Sequence, residues 1–461
     1  MSRRDEPRSL LRQSARYLSR EQAQELAQRV LGFATADETR VSIGSGAQGN
    51  TRFAVSQIST AGDNFNTTVT IRSVFGRRAG QSTTNALDDA SLRRAVATAE
   101  RLAKLSPEDP EYMPELGPQQ YIEARGWSDT TAALEPTQRA TAVRAITEPA
   151  RAEGLVATGY LENNAGSFAV ANHNGLFAWS RSTAVALTTT VRTPDGTGSG
   201  WAGAAHHDWS RIEPAPLGAR AIEKAKLSMN PSAVEPGRYT VVLEPTAVGN
   251  LVQLINFALN ARNADEGRSF FSKQGGGNKI GEKVVDERVT LVSDPHDPEA
   301  YANTFSGEGL PTSRTTWIEN GVVRNLAYDR YWAQQKGVDP RPQVGSLRMS
   351  GGDTTIEEMI ANTQRGILVT RFWYIRPVDP RTILFTGLTR DGTFLIENGR
   401  ISRAVQNLRF NESPIFMLNN LEAMGRPVRV SASESGSAGF AVVVPPLKVR
   451  DFNFTSLSEA V

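Results

Sequence analysis

The stretch Tyr239-Thr-Val-Val-Leu-Glu-Pro-Thr-Ala-Val-Gly-Asn250 joins two patterns that organise the second half of the chain. Its first five residues form a short apolar run rich in β-branched side chains, which is typical of a buried strand. Apolar residues then recur at helical spacing, at Val248, Leu251, Val252, Ile255 and Leu259. Pro245 suits the first turn of a helix, where its missing N–H costs nothing. The stretch therefore predicts a buried strand that leads directly into an amphipathic helix.

Two local patterns predict β-hairpins in the rest of the second half. Glu319-Asn-Gly321 and Glu397-Asn-Gly399 each lie between short apolar runs. Asn-Gly pairs tolerate the positive φ angles of a two-residue hairpin turn. One further helix, at residues 355–362, is predicted to interrupt the strands. The second half is thus predicted to be a strand-rich domain, barrel-like or sandwich-like, that carries one long helix.

The first half alternates between the two periodicities and is predicted to be an α/β domain with a mixed sheet. Helices are expected after the capping box Ser19-Arg-Glu-Gln22 and at residues 88–105, 136–153 and 217–228. Strands are expected at residues 40–43, 52–58, 67–75, 167–170, 177–180 and 183–192. The Pro- and Gly-rich run at 229–237 is the predicted domain boundary. We therefore predict an α+β fold with a loose tail (1–16), an N-terminal domain (17–230) and a C-terminal domain (231–461).

The composition is that of an ordinary globular protein and excludes several classes of function. The 51 Lys and Arg residues nearly balance the 49 Asp and Glu residues, which argues against a nucleic-acid partner. No apolar run approaches about 18 residues, so no membrane-spanning helix is expected. Residues 1–16 lack the apolar segment of a signal peptide. The chain has no Cys, which excludes disulfides, thiolate metal ligands and a Cys nucleophile.

Glycine-rich stretches suggest nucleotide sites only superficially. Gly44-Ser-Gly-Ala-Gln-Gly49 matches G-x-G-x-x-G, but that fingerprint needs a helix immediately afterwards to hold the pyrophosphate. Residues 51–58 have a strand pattern instead, so we interpret the glycines as a hairpin loop. The stretch 274–279 lacks P-loop spacing and is interpreted as a mobile surface loop, with a substrate-contacting loop as the alternative. Gly436-Ser-Ala-Gly439 is one residue short of a G-x-S-x-G elbow and is interpreted as a turn.

The four histidines are the remaining candidates for catalysis or metal binding. His173 is predicted in a hairpin turn and His296 in an exposed loop. His206, His207 and Asp208 could offer metal ligands, but adjacent residues on a strand point to opposite faces. We expect packing or surface roles for these three residues, with a metal site or a rebuilt active site as the alternative. A catalytic zinc normally needs three protein ligands, and no familiar spacing supplies them.

A set of stretches carries a resemblance to a known family. In the first half they include Val74-Phe-Gly-Arg-Arg-Ala-Gly-Gln-Ser-Thr-Thr84 and Ala171-Asn-His-Asn-Gly-Leu176. In the second half they include Gly307-Glu-Gly-Leu-Pro-Thr-Ser-Arg-Thr315, the two Glu-Asn-Gly hairpins and Asp329-Arg-Tyr331. In their order and spacing these stretches resemble the TldD/PmbA metallopeptidase family, and within it the TldE (PmbA) branch. The resemblance covers nearly the whole chain.

The resemblance implies a zinc-peptidase fold whose metal-binding residues are missing here. In the TldD branch, a His-Glu-x-x-x-His motif at this strand–helix junction and a later cysteine hold zinc and activate water. The two histidines map to Pro245 and Asn250, the glutamate maps to Thr246, and the cysteine has no counterpart. Proline and threonine cannot replace an imidazole ligand or a carboxylate base, and asparagine is a poor zinc ligand. The resemblance thus implies no catalytic residue and no cofactor in this chain.

The resemblance also implies a partner. TldE-type subunits pair with a zinc-bearing TldD-type subunit, and the pair cleaves unfolded or leader-bearing peptides in the cytoplasm. We therefore expect a heterodimer with zinc in the partner, a large apolar interface on the second domain, and peptides that bind by strand addition. The alternative is a stand-alone, homodimeric peptide-binding or scaffold protein without protease activity.

Two questions about individual residues stay open from the sequence. Gly307, Glu308, Gly309 and Arg314 are the candidates for peptide contact, because they belong to one of the family-like stretches. Asn250 either lies in the packed first turn of a helix with local hydrogen bonds, or it contacts peptide or partner directly.

Overall fold

The computed structural model describes residues 17–433 and 441–458. The predicted tail at 1–16 and the predicted turn at Gly436-Ser-Ala-Gly439 lie outside these residues. Strands hold 41% and helices 24% of the chain, a mixture that confirms the predicted α+β class. No helix in the described part of the chain is long and apolar enough to cross a membrane.

The elements of the described residues follow the chain order below. The helices are α1 (Arg20–Leu31), α2 (Asp89–Leu105), α3 (Asp129–Ala132), α4 (Pro136–Ala152), α5 (Pro214–Leu227), α6 (Pro245–Ala258), α7 (Ala261–Asp265), α8 (Arg330–Lys336), α9 (Ile356–Ala361) and α10 (Pro414–Asn419). The strands of the first half are β1 (Glu38–Ala54), β2 (Gln57–Phe75), β3 (Arg78–Thr84), β4 (Val156–Asn172), β5 (Phe177–Arg192) and β6 (Ser199–His206). The strands of the second half are β7 (Gly237–Leu243), β8 (Leu291–Ser293), β9 (Thr315–Glu319), β10 (Val322–Val323), β11 (Ser346–Met349), β12 (Arg365–Asp379), β13 (Leu384–Glu397), β14 (Arg400–Ala404), β15 (Leu408–Glu412), β16 (Leu421–Met424), β17 (Val428–Val430), β18 (Ala441–Val444) and β19 (Leu447–Leu457).

The first half forms one six-stranded sheet in the order β3-β2-β1-β4-β5-β6. Each neighbouring pair is antiparallel, so the prediction of a mixed sheet is wrong in this detail. The physical reason is the connections. Neighbouring parallel strands must be joined by a crossover connection. The helical segment that follows β3 leads to β4, but β4 is not a neighbour of β3 in the sheet, so this connection does not create a parallel pair.

The prediction of a hairpin loop at Gly44–Gly49 is also wrong. These glycines lie inside β1, which is paired along this stretch with β2 on one side and β4 on the other. A Cβ on Gly46 would lie 2.9 Å from the carbonyl oxygen of Ala165, so this glycine serves the close approach of two strands. The turn between β1 and β2 lies further on, where Val55 and Ser56 have positive φ angles.

The second half contains a closed barrel, which is one of the two architectures predicted for this half from its sequence. The strands β12-β7-β19-β15-β13 are paired in this order, and a pairing between β12 and β13 closes them into a five-stranded barrel. A second sheet has the order β10-β9-β8-β11-β18-β17. Both Asn-Gly hairpins are confirmed, with positive φ at Asn320, Gly321, Asn398 and Gly399.

Helix α6 is the long helix that the opening stretch predicts. The apolar stripe of α6 is fully buried, and so is Leu259, which lies just beyond the end of the helix. These residues belong to the largest apolar cluster, which includes side chains from both the barrel and the second sheet. The helix therefore lies between these two layers. Every strand pairing among the described residues joins strands on the same side of residue 231. The domain boundary at that residue stays a prediction.

Candidate functional site

The strand–helix junction has the predicted shape, and its carboxylate is already paired. Glu244 precedes α6 as its N-terminal capping position, and Pro245 begins the helix. The Glu244 carboxylate accepts a hydrogen bond from Lys224 Nζ at 2.6 Å, and Thr370 Oγ1 lies 3.4 Å from its second oxygen. Glu244 therefore ties α5 and β12 to the junction.

Asn250 is a packing residue whose amide is used at both ends. Its side chain is buried, with 2% of the residue exposed. Asn250 Nδ2 donates to the carbonyl oxygen of Ala432 at 2.8 Å, and the N–H of Phe372 donates to Asn250 Oδ1 at 3.0 Å. The expectation of local hydrogen bonds is wrong, because the first turns of α6 face β12 and the segment after β17. Both ends of this amide are thus held by the protein, in a buried position.

The junction does not fit the zinc that the His-Glu-x-x-x-His motif would hold. Pro245 has no ligand atom in its side chain, Thr246 has only a hydroxyl, and both amide atoms of Asn250 are committed. Across residues 17–433 and 441–458, no three His, Cys, Asp or Glu side chains are grouped closely enough to hold a metal ion. No metal-dependent step follows from this arrangement.

A buried ion pair next to the junction joins the barrel to the first sheet. Arg371 Nη2 lies 2.7 Å from Asp391 Oδ2, and both side chains are almost completely buried. Ser199 Oγ, at the start of β6, donates to the other oxygen of Asp391 at 2.6 Å. The Arg371 guanidinium also lies 4.8 Å from the ring of Trp201. A buried, hydrogen-bonded ion pair therefore lies beside the strand–helix junction.

His206 and His207 come together, against expectation. Strand β6 ends at His206, so the alternation of a strand does not apply to His207, and the two rings stack with centroids 4.4 Å apart. His206 Nδ1 accepts from the N–H of Asp208 at 2.9 Å, and His206 Nε2 lies 3.4 Å from Glu299. His173 lies in its predicted turn, and His296 is exposed in a loop, as predicted.

Asp208 does not complete a metal site with the histidines. Its carboxylate accepts from Thr130 Oγ1 at 2.6 Å, from Ser128 Oγ at 3.0 Å and from the N–H of Ser210 at 3.0 Å. These bonds, together with others of the same kind, hold the pKa of Asp208 well below its usual range even though burial acts in the opposite direction. Asp208 therefore caps a short turn, and the geometry favours a packing role for this cluster.

Because His207 is half-buried, we expect the protein to lose stability in mild acid. Burial, together with the neighbouring charges of His206 and Arg429, lowers the pKa of His207 to about 4 from its ordinary value of 6.5. Between these values the unfolded chain binds a proton that the folded chain does not. The contribution of His207 is therefore complete above pH 6.5 and is lost as the pH falls towards about 4.

This dependence can be measured as the melting temperature across that pH range. We expect His207→Gln to flatten the decline in Tm relative to the wild type, because the group that titrates has been removed. His173→Gln, at an exposed turn, is the matched control and should keep the wild-type slope. An unchanged slope in His207→Gln would contradict the assignment.

A cleft between the first sheet and the second half holds part of the predicted peptide-contact set. It has a volume of about 430 Å³ and is lined by β1, β2, the segment 109–115, the turn 306–310 and the segments 327–331 and 341–343. Gly307 and Glu308 line it. Gly309 is buried behind it against Leu176 with a φ of +84°. Arg314 is not a lining residue; it is 65% exposed and lies 3.6 Å from Asp294.

The floor of the cleft is an ion-pair cluster that sequence reasoning missed. Glu115, whose side chain is 3% exposed, lies 3.4 Å from Arg40 and 3.1 Å from Arg72. Burial raises the pKa of Glu115, while the two arginines act in the opposite direction. Glu308 lies further out, between Arg40 and Arg330. No local pattern connects residues so far apart in the chain, although the Asp329-Arg-Tyr331 stretch marks one edge of the cleft.

Comparison with known proteins places the chain in a family of metallopeptidases. Family models match at three places: the PmbA/TldA metallopeptidase domain 1 at residues 40–103, the central domain at 128–229 and the C-terminal domain at 236–456. The chain belongs to the PmbA/TldD metallopeptidase family, which confirms the resemblance.

Individual relatives are distant. The chain is 26% identical over 257 residues to a metalloprotease of Methanothermobacter thermautotrophicus, which covers 51% of this chain and 54% of that protein. It is 23% identical over 252 residues to a metalloprotease TldD homolog of Haemophilus influenzae, covering 50% and 51%. The chain thus spans about half the length of these relatives. A crystal structure of TldE from Thermococcus kodakarensis has a TM-score of 0.79 with 18% identity, over 94% of this chain and 100% of that one, and shares the fold.

Proposed function

We propose that this chain is a non-catalytic, TldE-like subunit of a cytoplasmic heterodimeric metallopeptidase, whose TldD-like partner holds the zinc and cleaves the peptide. The observation that carries the proposal is the junction at Pro245, Thr246 and Asn250. The first two side chains offer neither an imidazole nor a carboxylate, and the amide of Asn250 is bonded to Phe372 and Ala432. The fold shared with TldE of Thermococcus kodakarensis agrees with this assignment.

The part of this subunit in the pair would be to shape the space in which unfolded or leader-bearing peptides lie. Long strands offer backbone groups for this purpose. In the described residues β3 pairs only with Val69–Phe75 of β2, so the outer edge of β2 from Gln57 to Thr68 has no neighbouring strand. An exposed edge of this length can accept an extended peptide, or a strand of the partner, through main-chain hydrogen bonds.

Activity measurements on purified subunits test the proposal. The chain alone should leave an unfolded peptide intact and contain no stoichiometric zinc by elemental analysis, because its junction lacks the ligands and the base. Addition of a family member that carries His-Glu-x-x-x-His should give cleavage that a chelator abolishes. The matched control uses the same partner with the motif glutamate changed to glutamine, and that mixture should be inactive.

A variant of this chain sharpens the test. Pro245→His, Thr246→Glu and Asn250→His together should still leave the chain inactive, because the cysteine ligand has no counterpart. Chelator-sensitive cleavage by the wild-type chain alone would overturn the proposal. Light scattering that shows no association with the zinc-bearing family member would favour the stand-alone, homodimeric peptide-binding protein instead.

A further inference from the structure

The cleft above the first sheet is lined by four arginines and five carboxylates, of which two pair with the arginines. Four arginines line it, at Arg40, Arg72, Arg330 and Arg341. Three of the acidic lining residues are occupied elsewhere. Glu111 accepts two hydrogen bonds from Arg262 at 2.7 and 2.6 Å, Asp329 accepts from the N–H of Trp332 at 2.7 Å, and Asp109 accepts from the N–H of Glu111 at 2.9 Å. Among the described residues, Glu115 and Glu308 are the carboxylates that form ion pairs with these guanidinium groups.

Glu115 is committed to the floor of the cleft. It is almost completely buried and is shared between Arg40 at 3.4 Å and Arg72 at 3.1 Å. Removing this carboxylate would leave two arginines side by side with reduced access to water, which is costly. Glu115 is therefore part of the structure of the site, and Glu308 is the one of these two carboxylates that is exposed enough to change its position.

Glu308 is held loosely. Its side chain is 49% exposed, and its oxygens lie 3.9 Å from Arg40 Nη1 and 3.7 Å from Arg330 Nη1. Both distances exceed those of a hydrogen bond, so the interaction is electrostatic and partly screened by water. Arg40 and Arg330 are themselves only 15% and 12% exposed, and Arg341 forms no ion pair with any described residue. Arg330 Nη2 donates to the carbonyl oxygen of Pro114 at 2.5 Å, which leaves Nη1 of Arg330, together with Arg40 Nη1, facing Glu308 at distances beyond a hydrogen bond.

The turn that carries Glu308 is rigid, although the side chain is not. Its backbone is closed by hydrogen bonds from Ser306 N to Leu310 O at 2.8 Å and from Gly309 N to Ser306 O at 2.9 Å. Tyr121 OH holds the carbonyl oxygen of Gly309 at 2.7 Å. The Glu308 side chain can therefore rotate towards solvent without any movement of the turn.

We propose that this cleft binds the carboxylate of a peptide between Arg40 and Arg330, and that Glu308 occupies this place in the free protein and rotates away when the ligand binds. The volume of about 430 Å³ lies in the range of sites for small ligands. A carboxylate at hydrogen-bond distance would gain charge-assisted bonds that Glu308 does not make. That a peptide bears the carboxylate rests on the proposed function, whereas the carboxylate site itself does not.

Titration calorimetry on the full chain, without any partner, tests the site with three peptide probes. The first is N-acetyl-trialanine with a free C-terminal carboxylate, and the second is the same peptide as its C-terminal amide. The third is N-acetyl-Glu-Ala-Ala amide, which offers a side-chain carboxylate alone. We expect the amide to bind at least about tenfold more weakly than an acid, since hydrogen bonds to charged groups are worth roughly 1.5–3 kcal/mol. Comparison of the first and third probes identifies the source of the carboxylate.

Two substitutions that should change the affinity in opposite directions separate ligand binding from a structural role. Arg330→Gln should weaken binding of the acid by about tenfold, because one charged donor is lost. Glu308→Gln should strengthen it by about threefold, because the competing carboxylate is neutral and the arginine donors become free. Arg314→Gln, at an exposed arginine outside the cleft, is the matched control and should leave the affinity unchanged.

Several results of these titrations would overturn the carboxylate site. Equal affinity for the acids and the amide, or no binding of any probe, would overturn the proposal. Weaker binding in Glu308→Gln would also overturn it, since it would make Glu308 a contact and not a competitor. Because Glu308 lies on an exposed turn, this variant remains informative if Arg330→Gln fails to fold. The result is independent of whether the chain associates with a zinc-bearing partner, so the two proposals can fail separately.

Discussion

Phe372→Ala is expected to destabilise the protein by about 3–5 kcal/mol, the usual cost of removing a buried aromatic side chain. Phe372 lies on β12 and is fully buried inside the barrel. Its ring stacks on Phe452 with centroids 5.4 Å apart and planes 6° apart, and it meets Phe410 at 4.7 Å. The truncation would leave a cavity that three strands, each fixed by pairing on both sides, cannot collapse to fill.

Urea unfolding followed by near-UV circular dichroism would measure this effect, because the signal reports the packing of aromatic rings. The matched control is Phe416→Ala, which removes the same atoms from a side chain that is 47% exposed. We expect a shift in the midpoint for Phe372→Ala that is several times larger than that of the control. Equal shifts would mean that the ring cluster is not the core of the barrel.

Asn250→Leu is expected to cost about 2–3 kcal/mol, mostly because one buried donor loses its acceptor. The N–H of Phe372 would have no partner, whereas the carbonyl oxygen of Ala432 would keep a second donor, Gln253 Nε2 at 2.8 Å. Gln253→Leu is the comparison, and it should cost less because Asn250 Nδ2 still reaches Ala432. The destabilisation of the double variant should exceed the sum of the two single-variant values, since only in the double variant does the carbonyl oxygen of Ala432 lose both donors.

The same measurement decides between the two interpretations of Asn250. If the residue serves packing, Asn250→Leu lowers the unfolding midpoint, and any effect on partner association follows from that loss. If the residue contacts peptide or partner, the midpoint stays unchanged while association weakens. The second outcome would contradict the hydrogen bonds described for this side chain.

Sequence patterns predicted the elements whose signals are local. The stripe along α6 and the two Asn-Gly turns depend on spacing within a few residues, and the structure confirms them. The long strands of the first sheet were predicted only in pieces. Gly, Ser and Asn interrupt their apolar alternation, and pairing on both sides overrides the turn preference of these residues in β1.

The site depends on contacts that no local pattern reveals. Asn250 is bonded to Phe372 and Ala432, which are far from it in the chain and come near only after the barrel has formed. The cleft brings Arg40, Glu115 and Arg330 together from three separate segments. The resemblance to the family directed attention to the junction, but it could not show which contacts the side chains there make.

The two hydrogen bonds of the Asn250 side chain also restrict which substitutions this position can accept. An imidazole in its place could not reproduce both bonds of the amide while directing a nitrogen towards a metal. A histidine there would therefore weaken the fold at once, while Pro245, Thr246 and the missing cysteine would still prevent metal binding. At this position, the hydrogen bonds that hold the fold together and the geometry of a metal ligand would compete for one side chain.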